Sequence, residues 1–136
     1  MPHQPIEELE FFLLFETVSD RVWDEVARWP RFAQNTIGEQ WVNATDSVGA
    51  NLVEGDGRYS QPDSIRFFVI ARGSGREARL WIKRAIKRKL LGETLGESML
   101  SDLEKATRLL NLFINYRRSA RFTKEERAAY LVGHSG

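Results

Sequence analysis

The 136-residue chain contains no cysteine and only two histidines, His3 and His134. Without cysteine there can be no disulfide, thiol nucleophile or thiolate metal site. With both histidines in the terminal segments, the inward Glu-x-x-His pairs of di-iron bundles and the usual nucleophile-and-base arrangements lack their parts. We therefore expect no catalytic residue, no metal and no cofactor. No apolar run approaches the roughly 20 residues of a membrane span, and the start MPHQPIEELE is acidic where a signal peptide is basic. These absences predict a cytoplasmic protein with no membrane partner. Gly55-Asp56-Gly57 and Gly73-Ser74-Gly75 lack the strand-turn-helix setting, spacing and lysine of phosphate-binding loops.

What is present suits one globular domain: 42% of the residues are hydrophobic, enough for a single core at this length. The formal net charge of +1 conceals a division. Residues 1–57 carry 3 Lys and Arg against 11 Asp and Glu, a net −8, and residues 58–136 carry 17 against 8, a net +9. Either a basic binding surface or two mutually attracting halves follows from such a split.

Helical periodicity organises the chain. Phe11, Phe15, Val18, Val22, Val26 and Trp29 form one apolar stripe, closed by Pro30. A Thr36-Ile37-Gly38-Glu39 capping-box pattern predicts the start of a second helix, with Ile37, Trp41, Ala44, Val48 and Leu52 inward and a stop at Gly55. Gly55 and Gly57 fit a helix terminus and turn, where glycine accepts positive φ. Ser60, Pro62 and Asp63 announce a third helix, whose seam of Phe68, Ala71, Gly75, Ala78, Ile82 and Ala85 is small enough for close approach of a neighbour. Close approach is also the expected compensation for placing Gly73 and Gly75 inside a helix. A fourth helix is expected from about Glu97, through Met99, Leu103, Ala106, Leu110 and Phe113. The pattern predicts an all-α, antiparallel, up-and-down four-helix bundle in residues 1–118. Residues 119–136 form a basic tail, in which a short helix beginning at Thr123 is expected.

Two polar patterns stand apart from this core. Gln40, Ser47, Asn51 and Glu54 recur at helical spacing on the second helix, with Arg72, Ser74 and Glu77 on the third. A hydrogen-bonded network between the two helices is the economical expectation, and a polar pocket for a small ligand, built on Asn51, Glu54, Arg58 and Glu77, is the alternative. Along the third helix Arg72, Arg76, Arg79, Lys83 and Lys87 follow one another at three or four residues. With Arg117 and Arg118 at the end of the bundle and Arg121 in the tail they are the candidate nucleic-acid-binding residues, Arg72 being open to capture by Glu54 or Glu77.

The run from Gln40 to Ser60, with Ser47, Asn51, Glu54, Gly55, Gly57 and Arg58 in register, is followed by Ala71, Gly73, Ser74 and Glu77. Together they resemble the motifs of the bacterial four helix bundle family, the 23S rRNA-intervening sequence proteins. Gly49 stands where that family often has proline, and Leu52 replaces isoleucine. The resemblance implies a left-handed bundle assembled as a homopentamer around a central channel, with no established enzymatic activity. Accessory proteins of diversity-generating retroelements, a related branch, imply RNA or DNA and a reverse transcriptase as partners. The expected function is thus a non-enzymatic oligomeric scaffold with weak, sequence-tolerant nucleic-acid binding. A small-ligand or enzymatic bundle and a purely protein-directed scaffold are the rival expectations.

Overall fold

The computed structural model describes residues 4–135, with side-chain surroundings for residues 4–119. A 3-10 turn at Ile6–Glu8 leads into helix α1 (Glu10–Ala27). A short helical turn α2 (Arg31–Ala33) passes through a π turn (Gln34–Gly38) directly into α3 (Glu39–Asp56). Helix α4 (Gln61–Lys87) and helix α5 (Glu93–Ser135) complete the element order. Of the four long helices, α1 and α4 each pack on both α3 and α5. The helices therefore follow the order α1, α3, α4, α5 around the bundle, and the α1–α3 side lies opposite the α4–α5 side. The fold is the expected all-α four-helix bundle. None of the described helices is long and apolar enough to cross a membrane.

The stripes read from the sequence form the core. On α4 the side chains of Phe68, Ala71, Ala78, Ile82 and Ala85 are all completely buried, and they meet Trp41, Val48 and Leu52 of α3, Phe15 and Val18 of α1, and Met99, Leu103 and Leu110 of α5 in one cluster. Burying each large side chain such as Trp41, Phe15 or Phe68 contributes roughly 1.5 to 3 kcal/mol. Phe68 and Phe11 both lean on Phe113, at ring-centroid distances of 5.4 and 5.1 Å.

Several boundaries differ from expectation. Pro30, with ψ of 152°, turns the chain out of α1, and its carbonyl at once accepts the amide of Gln34 at 2.9 Å, so the next helix starts at Arg31. Thr36 is consequently no cap. Its hydroxyl donates to the Phe32 carbonyl at 2.7 Å from inside the helical run, a back-bond by which threonine tolerates a helix interior. The π turn absorbs an extra residue and brings Ile37 and Trp41 onto the core side, while Gly38 lets the turn lie against Val26 and Trp29.

At the far end, α3 runs to Asp56 rather than stopping at Gly55, and no glycine has positive φ among the described residues. What Gly55 supplies is proximity, since a Cβ there would lie 2.8 Å from Cε1 of Phe68 and 2.9 Å from Cβ of Phe67. The expected Ser60 cap of α4 is present: its hydroxyl accepts the amide of Asp63 at 3.3 Å. Helix α5 begins at Glu93, a turn before Glu97, and continues past Thr123, which falls within it. No proline or glycine between Glu97 and Val132 is there to stop it.

Candidate nucleic-acid interface

Antiparallel packing of α4 on α5 is fixed by two cross-links of equal spacing. Nη1 of Arg72 donates to Oδ1 of Asn111 at 3.1 Å, and seven residues further along α4 the Nε of Arg79 donates to Oε1 of Glu104 at 3.2 Å, seven residues earlier on α5. Along these bridges and one turn beyond Arg79 the two helices leave an open cleft of about 760 Å³. Gly75, Leu80, Leu103 and Thr107 form part of its lining. The charged lining consists of Arg72, Arg76, Arg79 and Lys83 from α4, Arg108 from α5, and one carboxylate, Glu104.

Five cations around one carboxylate make this a cationic cleft, and their partners divide them. Arg79 is neutralised by Glu104. Among the described residues Arg72 has only the neutral Asn111, which leaves its charge uncompensated there. Arg76, Lys83 and Arg108 are exposed and have no ion-pair partner among the described residues. By the register of the two bridges, Arg76 and Arg108 flank the middle of the cleft from opposite walls. Charges so placed attract polyanions by neutralising phosphates and releasing counterions.

The remaining candidates lie elsewhere. Lys87 does not line the cleft: it ends α4, where a cation complements the helix dipole. Arg117 is half-buried at the opposite end of the bundle. Its guanidinium donates to Oε1 of Gln61 and lies against the rings of Phe68 and Phe113 at 5.4 and 5.5 Å. Burial lowers its pKa, while Asp56 and Tyr116 act in the opposite sense. Its role is to tie α5 to the start of α4. Arg118 is exposed beyond it, and the side chain of Arg121 lies outside the described residues. Arg108, which the sequence reading missed, carries the α5 wall. Glu104, Arg108 and Asn111 recur at helical spacing, a pattern visible in the sequence once one knows which face of α5 meets α4.

The expected polar network between the second and third helices does not form. Asn51 donates to the Ser47 carbonyl of its own helix at 2.8 Å, Glu54 pairs with Arg58 at 2.6 Å on the surface, and Arg72 turns to α5 rather than to Glu54 or Glu77. Gln40 and Glu77 are exposed and Ser74 is half-buried. The cause is the contact chosen by α3 and α4: Gly75 faces Val48 and Gly55 faces Phe68, so the small-residue seam occupies the interface and the polar stripe stays at its edge. None of Asn51, Glu54, Arg58 and Glu77 lines the α4–α5 cleft. Gly73 also departs from expectation, since a Cβ there would meet nothing within 4 Å.

On the other side of the bundle, Glu16 of α1 lies against Gly49 of α3, with Asp20 and Asp46 nearby. Partial burial, and then the charges of Asp20 and Asp46, raise the Glu16 pKa above the ordinary carboxylate range. Ser19 donates to Asp46 at 2.8 Å. An acidic α1–α3 side thus stands opposite the cationic cleft.

Fold and cleft together define a helical-bundle protein with a cationic groove between two antiparallel helices. The sequence matches the model of the 23S rRNA-intervening sequence protein family over residues 7–112, and the chain belongs to that family. A crystal structure of a protein of unknown function from the S23 ribosomal protein family of Bacteroides thetaiotaomicron VPI-5482 shares the fold. It has a TM-score of 0.68 at 21% identity, over 76% of this chain and 97% of that one. Comparison with curated proteins finds no match.

Proposed function

We propose that this protein is a non-enzymatic, cytoplasmic homo-oligomer, most simply a pentamer, that binds the backbone of nucleic acid through the α4–α5 cleft. The observation that carries the reading is the convergence of uncompensated Arg76, Lys83 and Arg108 on a groove that holds a single carboxylate, Glu104, already engaged by Arg79. Cations aimed at phosphates position a duplex or strand without carrying sequence information, so binding through them is sequence-tolerant. A small-ligand pocket on Asn51, Glu54, Arg58 and Glu77 finds no support in their placement. The test is fluorescence anisotropy with labelled RNA and DNA at low and physiological salt. Wild-type protein binds and loses affinity steeply as salt rises; Arg76→Glu/Arg108→Glu does not bind. Equal binding by that double variant would remove the cleft from the function. Light scattering of the same samples gives the oligomer mass, and a mass of one chain would overturn the oligomeric part of the reading.

A further inference from the structure

We infer that the cleft takes the backbone of a double helix in preference to an unpaired strand. This inference rests on the proposal that the cleft is a nucleic-acid site, and it concerns which form of nucleic acid fills it. Unpaired strands are held by aromatic rings on which successive bases stack, each stack contributing about 1 to 3 kcal/mol. Between its cations the cleft offers Gly75, Leu80, Leu103 and Thr107, and no aromatic ring among the described residues lines it. The neighbouring ring on α4, Trp81, is half-buried, with the guanidinium of Arg84 over it at 5.1 Å. Phe68 and Phe113 face the interior, covered by Arg117.

Attraction in this groove therefore comes from phosphate charge, and charge density decides between the two forms. A duplex carries one charge per about 1.7 Å of axis, whereas a single strand in helical geometry carries one per about 3.4 Å. From Arg72 to Lys83 the cations of α4 extend over about 16 Å of helix at 1.5 Å per residue. Along that length a duplex presents about ten phosphates and one strand about five. The cations are also mounted on two packed helices, so a stiff rod of charge meets them without being ordered first, while an unpaired strand must lose chain entropy. Glu104 tempers the affinity, because Arg79 has to leave it before reaching a phosphate.

Anisotropy titrations with a duplex of about 20 base pairs, and with each of its unstructured strands, test this over a range of salt. The duplex binds at least severalfold more tightly than either strand. Engaging Arg72, Arg76, Lys83 and Arg108 gives a slope of log affinity against log salt of roughly −3.6, at about −0.9 per phosphate contact. Glu104→Gln releases Arg79, tightens the duplex complex and steepens the slope by about 0.9. Glu104, Arg76, Arg79 and Arg108 are exposed, and helical circular dichroism verifies that the variants fold. A strand that binds as tightly as the duplex overturns the preference and leaves the nucleic-acid reading standing. Absence of binding to all three probes overturns that reading itself. A Glu104→Gln variant with unchanged affinity and slope shows that Arg79 takes no part, and overturns the tempering role of Glu104.

Discussion

A methyl group added at Gly55 would lie 2.8 Å from the ring of Phe68 and 2.9 Å from Cβ of Phe67, whereas one added at Gly73 would stand in open space. The two glycines consequently respond to alanine in opposite directions. Gly55→Ala forces the α3–α4 contact apart and costs about 1 to 2 kcal/mol. Gly73→Ala removes backbone freedom from the unfolded chain and stabilises by about 0.5 to 1 kcal/mol. Urea denaturation of both variants measures the pair. Sequence spacing marked both positions, but the reason for each depends on what stands across from it, which no local pattern contains. Glu16 gives a pH effect with a definite sign. Its native pKa is raised, so the folded state holds its proton more firmly than the unfolded chain does, and its ionisation weakens the fold above the native pKa. Glu16→Gln therefore raises the melting temperature at neutral pH, and the gain shrinks as pH falls through the raised pKa and vanishes below the unfolded value. Melting curves across that range check it.

Among the elements, the joint between α1 and α3 was the least legible in the sequence. The apolar stripes on both sides were plain, because burial imposes a helical period on them. Pro30, Thr36 and Gly38 suggested a loop followed by a capped start, since threonine before a glutamate three residues on is a familiar cap. The structure instead keeps the chain helical through a π turn, and Gln34 takes the capping role from an unforeseen direction. Its Nε2 donates to the carbonyls of Val26 and Ala27 at 3.0 and 3.1 Å, satisfying the last turn of α1. Gln34→Ala leaves the Ala27 carbonyl to water and takes one of two donors from the Val26 carbonyl, which also accepts the Trp29 amide at 3.0 Å; it costs about 0.5 to 1.5 kcal/mol, with faster amide exchange confined to the joint. Uniform acceleration over all helices would contradict a local capping role. Helix α4 was the most legible element: its cap and complete seam follow from residues near in sequence, and Ser60, Phe68 and Ile82 stand where the pattern placed them.

On the scale of the whole molecule, the division of charge along the chain becomes a division between opposite sides of the bundle. The α4 half of the cleft was readable from cations three and four residues apart. The α5 half was not, because selecting Arg108 over its neighbours requires the register that Arg72–Asn111 and Arg79–Glu104 establish. The proposed oligomer needs contact surface, and the apolar side chains left outside the single chain include Trp23 at 63% exposure, Leu112 at 61% and Tyr116 at 69%. Phe12, on the same helix as Trp23, is buried and offers nothing to that surface. Trp23→Glu should lower the mass measured by light scattering while leaving the helical content of the subunit unchanged. A variant with wild-type mass would place the contact away from the outer face of α1.

The stacked indoles of Trp29 and Trp41, 5.6 Å apart and inclined by 24°, make the joint between α1 and α3 optically distinct. Both rings are buried, and their N–H groups have no hydrogen-bond partner among the described residues. Their emission is accordingly blue-shifted and shielded from iodide, and their coupled transitions give an exciton couplet in circular dichroism. Trp23 contributes a separate, red-shifted and quenchable component. Fluorescence and circular dichroism together thus distinguish opening of the joint, which abolishes the couplet and reddens the shielded emission, from a partner covering the outside of α1, which protects only the quenchable fraction.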